Sequence, residues 1–374
     1  MIIGVLKEPT PETRVSLLPE HLTLLKKWKV ETYIESNAGV TAFANDDKYK
    51  EAGATVTSRA EVLKNSDVIL SFNTFSAEDI AAMKKGAIAV GVYQPLFTAS
   101  LMKDWAGKGL SVFSMDMLPR TTRAQSMDIL SSQANIAGYK AVLLAANVYP
   151  KYFPMFMTAA GSIAPAKVLI LGAGVAGLQA IATAKRLGSV IEVFDTRPAV
   201  KEEVMSLGAK FVEVEGAADA SKAGGYAVEQ TEEFLQRQKA KIAESVAKAD
   251  IVITTAQIPG KKAPILITTA MIEAMKNGSV IIDLAASTGG NTDLTKNDTT
   301  VIHNGVSIVG NSRLASDMPS DASKLYGKNI LNFLQLMIDK DGNINLNFED
   351  DLIKGSCIAH NGEVVNDRVK ALTP

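Results

Sequence analysis

The residues best placed to do chemistry begin at Lys167, where KVLILGAGVAG runs an apolar strand into Gly172, Gly174 and Gly177 and then into the helical stretch LQAIATAKRLG. Gly172 permits a tight turn, Gly174 lets the backbone approach a pyrophosphate, and Gly177 lets the helix pack closely on the strand. Val175 and Ala176 open the helix, whose first N–H groups lack partners within the helix and can donate to phosphate oxygens. Taken alone, this spacing is a weak signal. The next strand, VIEVF, ends at Asp195 with Thr196 beside it, and a carboxylate there can accept hydrogen bonds from both hydroxyls of an adenosine ribose. The two features together point to a bound dinucleotide. A carboxylate at this position favours NAD over NADP, because a 2′-phosphate would bring like charges together in a partly desolvated site. Arg197 keeps the alternative open, since an arginine there could pair with that phosphate. A strand-to-helix turn with a capping aspartate is the purely structural reading of the segment.

A second polar cluster lies in Arg120–Ser131, RTTRAQSMDILS, after one strand and before a long helix. Gln125 and Asp128 are one turn apart and could hold the nicotinamide end of the same ligand, with Arg120 and Ser131 nearby. The stretch reads equally as a capped helix start, with Ser126 or Thr122 as the cap and Asp128 favouring the helix dipole. Gln257 opens QIPGK after a later strand. Dinucleotide folds place their ligand at such strand ends, although Pro259 and Gly260 also suit a plain turn.

The elements that must position these groups come in two series. In the first, Met1–Leu6, Val30–Ile34, Val68–Phe72, Ala87–Val92 and Leu110–Phe113 read as strands, with helical stretches such as Glu20–Lys27 and Ala77–Lys84 between several of them. The second runs through Lys167–Leu171, Val190–Phe194, Lys210–Val214, Ile251–Thr254, Val280–Leu284 and Val306–Val309. Strands alternating with helices predict parallel sheets. The expected fold is therefore α/β: two doubly wound Rossmann-like domains with parallel sheets, joined by two long helices, roughly 125–148 and 320–338, around a cleft. The tail after Asp339, with strand-like INLNF, is expected to return to the first domain. That domain would comprise 1–124 plus 325–374, and the nucleotide domain 125–324. The Ala/Gly-rich Gly216–Gly225 stretch suggests a loop.

Composition narrows the function. Lys plus Arg total 39 against 40 for Asp plus Glu, so there is no overall basic field to hold nucleic acid. The single Cys357 forms no internal disulfide, and His21, His303 and His360 have no ligand spacing, which predicts a metal-free protein in a reducing compartment. Met1 runs directly into MIIGVL without a basic and then apolar leader, and apolar runs such as Ala137–Val148 are interrupted. Neither export nor direct membrane insertion is expected.

The ordered runs RAQSMDILSSQANIAGYKAV, PMFMTAAGSIAPAKVLILGAGVAGLQAIATAKRLG, AGGY, TTAQIPGK and VIIDLA with GGN resemble domain I of the proton-translocating, Re/Si-specific nicotinamide nucleotide transhydrogenases across nearly the full chain. The resemblance implies hydride transfer between NADH on this subunit and NADP⁺ on a separate NADP-binding domain III, coupled to proton passage through a membrane domain II. With the chain ending at Pro374, those components are expected on other polypeptides. The subunit would be a cytoplasmic homodimer, held on the inner face of the bacterial inner membrane by its partners. Arg120, Gln125 and Asp128 match the family loop that positions nicotinamide and its ribose, and Ser131 matches its neighbour. Gly225 and Tyr226 match the mobile loop that folds over the nucleotide. Direct transfer between two nicotinamides needs no proton-transfer residue, only ring carbons brought to roughly 3–3.5 Å.

The rival reading is an NAD-dependent alanine dehydrogenase, whose N-terminus is similar to GVLKEPTPETRVSLLPE with Arg14. That family uses a lysine, a histidine and an aspartate for its chemistry, whereas the corresponding places here hold Asn73, Gln94 and Ser287. None of these is a strong acid or base near neutral pH. Ser287 also departs from the glutamate expected in transhydrogenases, and no role is assigned to it.

Overall fold

A computed structural model of the chain describes residues 1–214 and 231–373. The chain forms two compact units, Met1–Gln133 with Ser316–Pro374, and Ala134–Ala315. One division falls inside the helix Ile129–Val148 and the other in the short turn Leu314–Asp317. The expected divisions were at 124/125 and 324/325.

The first unit is built on eight strands: β1 (Ile2–Val5), β2 (Glu31–Glu35), β3 (Thr55–Thr57), β4 (Val68–Leu70), β5 (Ile88–Gly91), β6 (Ser111–Ser114), and, from the distant end of the chain, β16 (Cys357–His360) and β17 (Glu363–Val364). Their spatial order is β3-β2-β1-β4-β5-β6-β16-β17. Strands β1 to β6 pair in parallel, and the last two are antiparallel. The second unit carries β7 (Phe156–Thr158) and β8 (Gly161–Ile163) as a separate hairpin. Its main sheet is made of β9 (Lys167–Leu171), β10 (Val190–Phe194), β11 (Lys210–Phe211), β12 (Ile251–Thr254), β13 (Val280–Asp283), β14 (Thr299–His303) and β15 (Val306–Gly310). The order there is β11-β10-β9-β12-β13-β15-β14, parallel except for β14. Both sheets reverse direction beside their first strand, the doubly wound arrangement that sequence patterning predicts.

Alternate side chains of each strand enter different cores. In the first unit Ile3, Val5, Val68 and Leu70 join Leu22, Leu25 and Ile330 on one face, while Ile69, Ala89 and Val112 join Val62, Met102 and Trp105 on the other. In the second, Val168, Ile170, Ile251 and Ile253 pack with Ile181 and Ala184, and Leu169, Leu171 and Val252 pack with Ile242 and Val246. Helices cover both faces, so both residue parities must be apolar, and the strands read as unbroken hydrophobic runs.

One expectation needs correction. INLNF is not a strand; Ile344 makes one isolated bridge to Ile338, and the tail re-enters the first sheet through β16 and β17 instead. The parallel sheets stand as expected, with antiparallel pairings added at one end of each, β15 with β14 in the second unit and β6 with β16 and β16 with β17 in the first.

Within the second unit the helix Ile129–Val148 meets the helix Val175–Arg186 closely: a Cβ added at Gly138 would stand 2.1 Å from the Ala176 carbonyl oxygen. Gly138→Ala should therefore destabilise the protein by about 1–3 kcal/mol through overpacking, read as a lower urea midpoint. An unchanged midpoint would mean that the two helices separate without cost.

Candidate functional site

In the second unit the glycine turn sits at the C-terminal end of β9, next to the point where strand order reverses between β9 and β12. Gly172 adopts φ +106°, and a Cβ there would stand 2.3 Å from Thr255 Oγ1. At Gly177 a Cβ would fall 1.9 Å from the Gly172 carbonyl oxygen, so only glycine allows the helix to start this close to the strand. Gly174, the N-cap, differs from both. A Cβ on it would meet nothing within 4 Å, and no side chain caps the helix. The backbone N–H groups of Val175 and Ala176 begin the helix beside that open space.

Asp195 follows β10 and ties it to this turn: its Oδ2 accepts from Ala173 N at 2.7 Å. The rest of the carboxylate is taken by Arg197. Oδ1 accepts from Arg197 N at 2.8 Å and Nε at 2.9 Å, and Oδ2 accepts from Nη2 at 2.8 Å. The hydrogen-bonded carboxylate holds the Arg197 guanidinium still further above its usual range. Thr196 lies half-buried between them.

The loop after β12 closes the other side of the turn. Thr255 Oγ1 donates to the Gly172 carbonyl at 3.2 Å, and Gln257 is fastened by Nε2 to the Leu284 carbonyl at 3.0 Å. Sequence reasoning missed the two residues that hold this loop. Asn291, fully buried, accepts from Ala256 N at 3.1 Å and donates to the Ala256 and Pro264 carbonyls at 2.8 and 2.9 Å. Asp283, also fully buried, accepts from Asn291 N at 2.6 Å and Ala285 N at 2.9 Å. The GGN triplet was the available signal. Gly172, Gly174, Val175, Ala176, Gly177, Asp195, Thr196, Arg197 and Gln257 therefore gather at one end of the second sheet. Gly225 and Tyr226 lie outside the described residues.

Arg120, Gln125, Asp128 and Ser131 belong to the first unit. Arg120 and Gln125 are exposed. Asp128 is the helix cap itself, accepting from Ser131 N at 2.9 Å and Ser131 Oγ at 2.6 Å, a duty expected of Ser126 or Thr122. The 3-10 turn Thr122–Met127 is held from outside: Asn329 and Asn332 both donate to the Ser126 carbonyl, at 2.8 and 2.9 Å. Arg123 makes a bidentate pair with Asp350, both contacts at 2.7 Å.

The strand ends of the first unit hold a buried carboxyl instead of a glycine turn. Glu8, after β1, accepts from Phe72 N at 2.6 Å, Asn73 N at 3.2 Å and Asn73 Nδ2 at 2.8 Å. Burial nevertheless pushes it up to about 7. Arg14 lies 4.3 Å from the centre of the Phe72 ring and is paired with Glu12 at 2.7 Å. Gln94 is exposed at φ +48°. Among the described residues no cluster of three or more His, Cys, Asp or Glu could hold a metal ion.

Comparison with known proteins gives this geometry a family. Residues 4–137 match the alanine dehydrogenase/PNT N-terminal domain and residues 141–367 match the C-terminal domain of the same name. The chain belongs to the alanine dehydrogenase/PNT family. Within it, the chain is more similar to transhydrogenases than to alanine dehydrogenase. A Rickettsia prowazekii protein named as the first portion of NAD(P) transhydrogenase subunit alpha is 45% identical, covering 98% of this chain and 96% of that protein. The chain superimposes on the crystal structure of transhydrogenase from Sinorhizobium meliloti with TM-score 0.89 at 43% identity, covering 98% and 100% of the two chains. An alanine dehydrogenase of Staphylococcus saprophyticus is 25% identical over 78% of this chain and 73% of its own.

Glu8 sets a pH test. Its folded-state value lies above the ordinary 4.5, so the folded protein keeps a proton that the unfolded chain releases. The favourable contribution is complete below pH of about 4.5 and disappears as pH rises through about 7, a loss of about 3 kcal/mol. Glu8→Gln should flatten the fall in urea-unfolding free energy across that window. A variant that keeps the wild-type slope would assign the titration elsewhere.

Proposed function

We propose that this chain is the NAD(H)-binding subunit of a proton-translocating, Re/Si-specific NAD(P) transhydrogenase. It acts with an NADP-binding domain III and a membrane domain II carried by partner subunits. The observation that carries this reading is the glycine turn joined to Asp195 through Ala173 N. A Cβ at Gly174 would fill the open space beside the uncapped helix start, which suits the backbone approach of a pyrophosphate. The resemblance of the Arg120–Ser131 run and the name of the Rickettsia prowazekii relative extend the reading to hydride transfer.

When bound, the dihydronicotinamide supplies the hydride. The chain's residues bind and orient. The exposed Gln125 offers an amide donor and acceptor to the ring substituent, and Arg120 offers charge-assisted hydrogen bonds beside it. Asp128, by capping at Ser131, keeps the loop in register with the helix. Val175, Ala176 and Gly177 serve the pyrophosphate, and Asp195 and Thr196 the adenosine ribose. In place of the rival family's lysine and histidine, Asn73 is engaged with Glu8 and Gln94 is an exposed amide. Neither gives the proton chemistry that amino-acid oxidation needs.

No described helix is long and apolar enough to cross a membrane, so attachment on the cytoplasmic face of the inner membrane would pass through the partners. Homodimerisation is supported by the hairpin β7–β8 and the residue before it, which expose Met155, Phe156, Met157 and Ile163 together, Met157 at 72%. Several large apolar side chains exposed on one short hairpin suit association.

The purified chain should bind NADH, leave it unoxidised with pyruvate and ammonia, and exchange hydride only when mixed with an NADP-binding domain III. Keto-acid turnover by the chain alone would favour the amino-acid dehydrogenase instead. Gln125→Asn should slow hydride transfer while NADH affinity stays within a few-fold; lost affinity with normal turnover would reverse its role. Met157→Lys should shift the protein from dimer to monomer in light scattering, and a dimer that survives would place the interface away from the hairpin.

A further inference from the structure

We infer that Arg197 is a built-in substitute for the ribose diol. Its guanidinium holds the acceptor positions on Asp195 that the adenosine 2′- and 3′-hydroxyls would use, so a ligand gains this site by exchanging a vicinal diol for the arginine. The inference rests on the dinucleotide reading of the glycine turn and adds how that site selects its ribose.

A carboxylate offers about four acceptor positions. On Asp195 all are filled: Oδ1 by Arg197 N at 2.8 Å and Nε at 2.9 Å, Oδ2 by Ala173 N at 2.7 Å and Nη2 at 2.8 Å. These donors fall into two kinds. Ala173 N and Arg197 N are backbone groups fixed by the turn and by the end of β10. Nε and Nη2 belong to a side chain that can rotate away, and they sit one on each oxygen in a parallel fork. Two adjacent ribose hydroxyls present the same pattern, one O–H to each oxygen. The side chains of the pair are only 19% and 6% exposed, so water does not replace the arginine cheaply.

Selectivity follows from what can fill both positions. A ribose with free 2′- and 3′-hydroxyls returns both hydrogen bonds. A 2′-phosphorylated ribose has one hydroxyl and brings negative charge against Asp195, and a dideoxyribose has none. Apparent affinity is the intrinsic affinity multiplied by the fraction of molecules in which the arginine has left.

The test is calorimetric titration of the wild-type chain, Arg197→Met and Arg197→Ala with NADH, AMP, 2′,3′-dideoxy-AMP and NMN. If the arginine is displaced in about a tenth of molecules, AMP and NADH should bind both variants about tenfold more tightly. Dideoxy-AMP and NMN should be unaffected. In the wild-type protein, the Arg197 Nε–H resonance should move on adding AMP and stay in place on adding dideoxy-AMP, which needs no variant to fold. Unchanged or weaker AMP binding by the variants, or equal tightening for dideoxy-AMP, would overturn the inference while leaving NADH binding intact. Failure of the wild-type and both variants to bind NADH at all would instead remove the dinucleotide reading, and this inference with it.

Discussion

A helix can begin against the strand that precedes it only if nothing but hydrogen stands between them, and in the second unit that condition is met at Gly177. Its missing Cβ is what avoids a 1.9 Å clash with the Gly172 carbonyl oxygen. Once the helix is seated there, the turn between must be tight, which Gly172 supplies at φ +106°. The turn's own groups then become anchors for neighbours: Ala173 N for Asp195 at the end of β10, and the Gly172 carbonyl for Thr255 at the end of β12. Three strand ends are thereby tied to one peptide segment, and the chemistry read from this unit lies within reach of it.

The first unit repeats the strand order β3-β2-β1-β4-β5-β6 but uses the equivalent place differently. Where the second unit leaves backbone uncovered, the first fills its strand ends with side chains. Glu8 bridges from β1 to the segment after β4, Tyr326 stacks on Phe72 at 3.7 Å between ring centres, and its hydroxyl donates to the Ser71 carbonyl at 3.0 Å. One architecture thus carries two chemistries, which is why function is argued from the loops and not from the sheet.

What could be read in advance follows the same physics. Parallel strands with both faces covered are apolar at most positions, and β9, β10 and β12 were recognisable to the residue. Three strands at or next to the sheet edges were not. β3 is a three-residue TVT, β14 mixes exposed and half-buried positions, and β16 is four residues long. In the site, the glycines were legible because sterics restrict the residue type. Asn291 and Asp283 were not: the GGN triplet marks a turn, but the backbone groups on which the two side chains act are brought close only by folding. Asp128 shows a subtler case: a cap was expected in its stretch, but which side chain would cap depended on where the helix began.

The first unit is interrupted in sequence by the whole of the second. Its strand β6 pairs with β16, Cys357 lying opposite Phe113, and every residue from 134 to 315 is made between them. During synthesis on the ribosome the second unit is complete in sequence before β16 exists. Until the last stretch emerges, the half-made sheet presents an unpaired edge at β6, the kind of edge that recruits stray strands. The nascent chain therefore passes through a period in which its dinucleotide module is ready and its companion is exposed to mispairing.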